Sequence, residues 1–547
     1  MNIPVQYIIN SLAKYLLIFF LLLSTYSSIL TIFNGSENSS MLRVFSDDEA
    51  SQVGRLQEMI KDESLDSGGF KGGFYHYGQA YNTLTYALIN TLEFVGFDKF
   101  DYQISVLILK LISLTGYVVS VVLVYLILRS LGVSESISSI FSLIFGIHTD
   151  YWGWATTIHP DTLQMCLMLI SFYFILKIKS INAAILISSF FIGLSFGAKY
   201  SGIFLAIFIA SLISINTIYR IVNNKRDNVN YFINISSWSI LSFFTGWIVL
   251  NPYILFRFNK LLEDLSFQRE NLTNLGGGKV LDNRWIEWVS MYQDEYGLIV
   301  VFIITGLLCL FIYTLNFLFK NKDNVWRSSL FSDRRSIAII SITFYLFIGS
   351  LYLFIVIKYR EWRYSYHLLP FIIIISAYGF HLLMKWINRD YIIAGIFFLA
   401  LFLLIPKGLS NFQLLANTHY SESKNPYVTA GEWLKNKYNS NNIILAGTYS
   451  YVDDKYFNNI VYTYDLNRLA IKTHTPDVIF MNESVPGRYV WKKKGTLISD
   501  NEFIYKEKWK NRAMVDEYGV FLQEITSKES SWKVVYETGS VVIFERK

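Results

Sequence analysis

The sequence predicts a polytopic α-helical membrane protein that ends in a small α/β domain. Three observations predict it. Only 16% of the 547 residues are charged and 53% are hydrophobic, whereas a soluble globular domain carries roughly a quarter charged residues. Apolar runs of about 20 residues, the length that crosses the hydrocarbon core, recur from Ser11 to the neighbourhood of Ile405. From Asn411 onward the composition turns polar and the apolar residues fall into short strand-like runs.

About eleven runs meet the spanning length. They begin near Ser11, Ile104, Ile137, Leu163, Ile181, Gly202, Ile233, Leu298, Ile337, Tyr364 and Tyr391. The first is longer than a signal-peptide core and has no small-residue cleavage site, so it is expected to persist as a helix. A long outer loop, residues 34–103, follows it. Basic residues crowd alternate short loops: Arg129; Lys177 and Lys179; Arg220, Lys225 and Arg226; Lys320, Lys322, Arg327, Arg334 and Arg335; Lys385 and Arg389. The positive-inside rule places these loops in the cytoplasm and the region after Lys407 on the opposite face. The net charge of +6 then reads as loop asymmetry, with no nucleic-acid partner implied. Cys166 and Cys309 both sit in apolar runs and supply neither a disulfide framework nor a metal knuckle. Lys14 and Lys110 lie near span ends, where lysines snorkel to the interface.

Two domains follow, a membrane domain over 1–405 and a soluble extracytoplasmic α/β domain over 411–547. In the second, "NNIILAG", "PDVIFMN" and "YGVFLQE" read as strands. "WKVVYETGSVVIFERK" reads as a hairpin turning at Glu537-Thr538-Gly539-Ser540. "PYVTAGEWLKNKY" reads as a Thr-capped helix with Val428, Trp433 and Leu434 at helical spacing.

The unusual polar stretches all fall on the non-cytoplasmic side: "FSDDEA", "HTDYWGWATTIHPD", "GAKYS", "DNRWIEW" and "KYREWRYSYH". The span centres are nearly free of charge, whereas a transporter keeps ionisable groups at mid-bilayer. A site at the outer membrane surface fits this distribution. Asp47, Asp48 and Glu49 open a helix whose Val53, Leu56, Met59 and Ile60 share one face, an interfacial amphipathic helix. The helix dipole favours carboxylates in that first turn whether or not they do chemistry. Pro160 and Asp161 suit an ordinary helix start. His148 and His159 flank "YWGW", as belt residues or as metal ligands, although two histidines fall short of a zinc set. Lys199 is either a snorkelling anchor or a point charge for a phosphate. Arg360 and Arg363 form either an aromatic-basic belt or a guanidinium clamp. "GGG" at 276–278 lacks the context of a nucleotide loop and reads as linker.

These motifs, in this order, make the chain resemble the C-type, membrane-embedded glycosyltransferases. Within them it is most similar to the branch of protein O-mannosyltransferases and aminoarabinose transferases. The likeness rests on "DE" leading an amphipathic helix after the first span, "HPDTL" opening the fourth, "GLSFGAKYSG" and "WRYSYHLLP", and it covers about residues 1–405. Where many relatives have a proline-rich entry, this chain has "FYHYGQAYN", so no acceptor role passes to His76 or Tyr77. The resemblance implies a polyprenyl-phosphate sugar donor, an acceptor hydroxyl on a lipid, glycan or protein, and an inverting displacement at the outer face of a bacterial inner membrane. It implies Asp48 as the base, Glu49 as an orienting partner and Asp47 as the fallback. Lys199, Arg363 and Arg360 are the candidates for the donor phosphate, and His159, Asp161 and Tyr200 for other substrate contacts. No cofactor is required.

Three rival readings stand beside it. One is a metal-dependent oligosaccharyl or arabinosyl transferase with a divalent ion at Asp47 and Asp48. A second is a non-enzymatic glycolipid flippase or exporter subunit, which needs a polar conduit that the uncharged span centres do not offer. The third is a receptor whose carboxy-terminal domain does the binding. The topology itself is testable. A reporter active only outside the cytoplasm should light up when fused after Lys547, and a cytoplasm-active reporter at the same place should stay dark.

Overall fold

The computed structural model describes residues 5–33, 35–37, 39–45, 47–65, 78–222, 228–270, 284–320, 333–357, 364–387, 390–419, 425–463, 466–482, 490–492, 503–505, 512–538 and 541–547. It divides into two compact units. The first comprises Met1–Leu30, Glu58–Phe97 and Ile108–Leu415; the second comprises Thr31–Gln57, Asp98–Leu107 and Ala416–Lys547.

Helices dominate the chain up to His419. In order they are α1 (Val5–Ile32), α2 (Ser39–Phe45), α3 (Asp47–Lys61), α4 (Ala80–Glu93), α5 (Tyr102–Ser130), α6 (Glu135–Gly146), α7 (Thr149–Trp154), α8 (Pro160–Lys177) and α9 (Ile181–Ala198). A 3-10 turn, Tyr200–Phe204, leads into α10 (Leu205–Val222). Then come α11 (Asn228–Val249), α12 (Phe258–Glu270), α13 (Arg284–Tyr296), α14 (Val300–Lys320), α15 (Arg334–Ile355), α16 (Leu369–Ile387) and α17 (Asp390–His419). Among the described residues, 9 helical segments are long and apolar enough to cross a membrane, as befits a multi-pass membrane protein. All of the runs predicted as spans are helical. Two runs differ from expectation: α8, near Leu163, is not among those 9, and α6, near Ile137, has 12 residues, too few for the hydrocarbon core. Helix α6 is apolar because nearly all its residues are buried inside the protein.

Small residues let the spans approach closely, as packing between apolar helices in lipid requires. A Cβ on Gly193 of α9 would lie 2.0 Å from the Phe243 carbonyl oxygen of α11, and one on Gly246 of α11 would lie 2.1 Å from that of Phe190. Gly379 of α16 meets the Gly306 carbonyl of α14 in the same manner. Between α8 and α9, Ser188 Oγ donates to the Ser171 carbonyl at 2.7 Å and Ser171 Oγ donates to that of Ser188 at 3.1 Å.

The basic connections gather at one end of this unit. The Arg334 guanidinium donates to the Ile178 carbonyl between α8 and α9. Arg335 lies against Gly132 between α5 and α6, and Arg220 stacks over Tyr231, whose hydroxyl donates to Asn182 at 2.9 Å. Lys14 is half exposed and 3.7 Å from Glu135. Lys110 departs from the snorkelling expectation, because it is only 3% exposed and sits well inside α5 rather than at its end. The helix α3 departs too. Its Val53, Leu56, Met59 and Ile60 are buried, and so are Glu49, Gln52 and Arg55, so protein rather than an aqueous interface covers its polar side.

The second unit carries a five-stranded sheet of order β2-β1-β3-β7-β6. Its elements are α18 (Pro426–Lys437), β1 (Ile443–Gly447), β2 (Asn459–Thr463), α19 (Arg468–His474), β3 (Val478–Asn482), β4 (Val490–Lys492), β5 (Phe503–Tyr505), α20 (Arg512–Thr526), β6 (Trp532–Glu537) and β7 (Val541–Arg546). Strand β1 runs parallel to β2 and β3, while β7 is antiparallel to β3 and β6. The predicted hairpin is β6–β7, and "NNIILAG" and "PDVIFMN" contain β1 and β3. "YGVFLQE" is not a strand. It lies in α20, whose Phe521, Leu522 and Ile525 pack against Leu445, Ile479 and Phe544 on one face of the sheet; the i, i+1, i+4 spacing is helical. On the other face, Ala430 and Leu434 of α18 pack against Ile444, Phe480 and Ile543. The cap of α18 is Asn425, whose Oδ1 accepts from Tyr427 N at 2.9 Å, not a threonine.

The α9–α11 contact sets a stability prediction. Gly246→Ala puts a methyl group into a backbone carbonyl, an overpacking that costs about 1–3 kcal/mol, and thermal unfolding in detergent should shift down accordingly. Gly395→Ala in α17, where nothing among the described residues lies within 4 Å of the new Cβ, should leave the midpoint unchanged or raise it.

Candidate functional site

The end of the first unit opposite the basic connections carries a continuous strip of polar and aromatic side chains. It begins with Asp161. His159 is the N-cap residue of α8, Pro160 starts the helix, and Asp161 falls in its first turn. Lys199 is the residue that closes α9 in extended conformation before the 3-10 turn. Helix start and helix end thus meet. Lys199 Nζ lies 2.6 and 2.8 Å from the two Asp161 carboxylate oxygens, and His159 Nδ1 lies 2.7 Å from Oδ2. Asp161 is 2% exposed, so this is a buried, charge-assisted cluster. Gln164, one turn further along α8, donates to the Lys199 carbonyl at 3.0 Å and to Ser201 Oγ at 2.8 Å.

The "GAK" turn is built for close approach. A Cβ on Gly78 would lie 1.7 Å from the Gly197 carbonyl oxygen, and one on Gly197 would lie 2.2 Å from Asn251 Nδ2. Asn251 Oδ1 accepts from Gln79 N at 2.6 Å, and its Nδ2 donates to the Trp247 carbonyl at 2.8 Å. The two residues before α4, Gly78 and Gln79, are therefore pinned beside Lys199. Tyr200 turns its ring onto Phe196, centroids 5.2 Å apart, in a cluster with Trp247, Ile254 and Leu261.

From His159 the strip continues through aromatic contacts. Trp154 stacks flat on the imidazole, centroids 4.1 Å apart, and meets Tyr366 edge-on at 4.1 Å. Tyr366 in turn contacts His148 at 5.4 Å. His148 caps α7, its Nδ1 accepting from Tyr151 N at 3.4 Å. Glu295 Oε1 accepts from both Thr149 N and Thr149 Oγ1 at 2.8 Å and lies 3.4 Å from Lys407 Nζ. Burial lowers His148 to about 4 although Glu295 pulls the other way, so its imidazole is neutral at neutral pH. Burial and then the Glu295 charge raise Asp150. His367 stacks on Phe204, centroids 5.2 Å apart, and burial lowers it to about 3, with the Lys199 charge adding to the effect.

The structure thus brings His159, Asp161 and Lys199 together and turns Tyr200 into packing. Glu49 is 1% exposed, which separates it from a solvated helix start. Asp47 and Asp48 occupy the first turn of α3 by backbone, and their side chains lie outside the description, as do Arg360, Arg363, His76 and Tyr77. His148 and His159 serve different partners. Among the described residues, no group of three or more His, Cys, Asp or Glu gathers as a metal site. Sequence reasoning missed Gln164, Asn251, Glu295, Tyr366, His367 and Lys407. The only signal for Glu295 and Lys407 is a charge at the border of an apolar run.

Comparison with solved structures bears on the fold. The archaeal oligosaccharyltransferase AglB from Archaeoglobus fulgidus, in complex with an inhibitory peptide and a dolichol-phosphate, superposes with TM-score 0.50 at 11% identity, over 91% of this chain and 75% of that one. The fold is that of the C-type glycosyltransferases. ArnT from Cupriavidus metallidurans also matches. Bound to undecaprenyl phosphate it gives TM-score 0.46 at 9% identity over 96% and 97% of the two chains, and in the apo state 0.48 at 9% over 97% and 98%. No protein-family model and no curated protein sequence matches the chain.

Removing one partner of a buried ion pair strands the other, at a cost of about 3–5 kcal/mol. Asp161→Ala should therefore lower the unfolding midpoint in detergent far more than the double variant Asp161→Leu/Lys199→Met, which removes both charges. Equal losses from the two variants would mean that Lys199 finds water or another anion when Asp161 is gone.

Proposed function

We propose that the protein is an inverting membrane glycosyltransferase. It moves a sugar from a polyprenyl-phosphate donor to a hydroxyl of a lipid, glycan or protein acceptor at the outer face of the membrane. The observation that carries this reading is the C-type fold, in which the oligosaccharyltransferase neighbour holds a dolichol-phosphate and a peptide. Two features of this chain support it. The polar strip sits at one end of the spans, opposite the basic connections. A cavity of about 380 Å³ between α9, α10 and α11, lined by Ile192, Ile203, Ile209, Ile213, Phe243 and Phe244, starts one turn beyond Lys199. Its apolar walls suit an isoprenoid tail.

In this reading the acceptor hydroxyl attacks the anomeric carbon while Asp48 removes its proton, and the glycosidic bond to the lipid phosphate breaks with inversion. General-base assistance of this kind contributes about 10²–10⁴-fold. Glu49 orients the acidic turn, and Asp47 is the fallback base. Charge developing on the departing phosphate calls for cations. Lys199 is already neutralised by Asp161, so Arg363, with Arg360 as a further candidate, carries more of that task. His367, four positions after Arg363 in the sequence, stacks on Phe204 of the 3-10 turn that follows Lys199, which supports this reading of the segment. The orientation follows the positive-inside rule, and a bacterial inner membrane is the setting the polyprenyl donor suggests. A metal-dependent transferase of the same architecture, with a divalent ion on Asp47 and Asp48, is the second reading; it predicts that EDTA abolishes transfer.

Release of polyprenyl phosphate from a lipid-linked sugar, followed by mass spectrometry of the acceptor, tests the proposal. Asp48→Asn should slow turnover by at least about 10²-fold, and Asp47→Asn much less. Arg363→Ala should raise the donor KM more than Lys199→Met does. If Asp47→Asn is inactive and Asp48→Asn is active, the base is one residue earlier. Unimpaired transfer by Asp47→Asn, Asp48→Asn and Glu49→Gln alike would falsify the base assignment.

A further inference from the structure

The second unit is assembled from three stretches of chain, and their junction is specific. Helix α2 has 7 residues, too few to persist alone, since isolated helices shorter than about 12–15 residues are marginal in water. Contacts to the carboxy-terminal stretch run along its whole length. Ser39 Oγ donates to Asp454 Oδ2 at 2.5 Å. The Tyr462 hydroxyl lies 3.1 Å from Ser40 Oγ and 3.2 Å from the Val452 carbonyl. The Arg43 guanidinium sits 4.6 Å over the Tyr462 ring, a cation–π contact. Met41 and Val44 pack with Tyr427, Val428 and Tyr451.

The receiving surface is braced. Most of it is the loop 448–458, which leaves the carboxyl end of β1, the place where open α/β sheets receive ligands. Asn482 Nδ2 holds the loop by donating to the Thr448 carbonyl at 2.6 Å and Ser450 Oγ at 2.9 Å. Asp453 pairs with Lys435 at 2.7 Å and accepts from Lys455 N at 3.0 Å. A Cβ on Gly431 of α18 would lie 2.3 Å from the Tyr451 carbonyl oxygen, so only glycine lets the loop settle there. What this surface receives is the chain's own helix α2. A single residue, Ser46, separates α2 from the Asp47 that opens α3. Fixing α2 therefore fixes the start of α3, and Glu49 in that turn is buried. Tyr102 completes the surround, with Asp454, Arg43 and Glu49 in electrostatic reach of its hydroxyl.

We propose that Asp454 and Tyr462 of the carboxy-terminal domain are positioning residues for the acidic motif, which makes that domain part of the transfer apparatus and not a separate binding module. The inference rests on the reading of Asp48 as the base. Loss of the clamp lets the carboxylate drift, and a misplacement of about 1 Å costs on the order of 10²-fold in rate.

The test uses the full chain in detergent and two readouts. Asp454→Ala/Tyr462→Phe removes both polar contacts and keeps the aromatic ring under Arg43. It should speed amide hydrogen exchange in residues 39–57 while β3 and β7 stay protected. It should lower kcat by on the order of 10²-fold and leave the donor KM within about twofold of the parent. Asp454→Asn, which keeps an oxygen for Ser39, should restore most of the rate in the single-site background. Faster exchange with undiminished kcat overturns the positioning role, and unchanged exchange overturns the clamp itself. Failure of the underlying reading looks different: Asp48→Asn would transfer sugar at the parent rate, with exchange in 39–57 unaltered.

Discussion

The carboxylate of Asp161 is the group on which the polar end of the membrane unit depends. A carboxylate that is 2% exposed is several kcal/mol too costly to keep charged unless its partners are excellent. Here it has an ammonium on both oxygens and an imidazole on one. Those partners come from the end of α9 and the residue before α8. The pair therefore ties two helix termini that are 38 positions apart in sequence. The flat stack of Trp154 on His159 and the reach of Gln164 to Ser201 flank the two termini that this pair joins. The same interaction sets the electrostatics. An ion pair is close to neutral at a distance, so the most prominent lysine of the region adds little long-range attraction for a phosphate.

Much of the fold was legible in the sequence, for a plain reason. A bilayer asks for about 20 apolar residues per helix, and such runs are hard to mistake. The error at α6 shows the limit: an apolar run also arises when a helix is enclosed by protein, and composition cannot tell lipid from protein as the neighbour. Lys110 and the polar face of α3 failed for the same reason, because a charge near a helix end reads as solvated until tertiary packing covers it. "YGVFLQE" was misassigned because consecutive apolar residues fit a strand and a helix face equally well.

The site was legible in a different degree. His159, Asp161 and Lys199 were each singled out, but their mutual contact spans two helices and leaves no local trace. The resemblance to a family pointed at them; spacing alone favoured a proline-started helix and a snorkelling anchor. Asn251 and Gln164 carry no charge and interrupt no pattern, yet they hold the turn at Gly197 in place. Their role follows from the glycine contacts and is visible only in three dimensions.

The composite second unit has a consequence for how the chain is made. Its pieces are residues 31–57, 98–107 and 416–547, so its first stretch emerges from the ribosome nearly 400 residues before its last. At about 5–20 residues per second, the segment bearing Asp47, Asp48 and Glu49 waits tens of seconds without the surface that receives it. Loop closure over such a separation adds an entropic cost that grows slowly with length, so the wait is a matter of order rather than of energy. The residues that pack on α2 lie between Tyr427 and Tyr462, and the sheet beneath them closes only with β7. Assembly of this unit thus waits for the last strand of the chain.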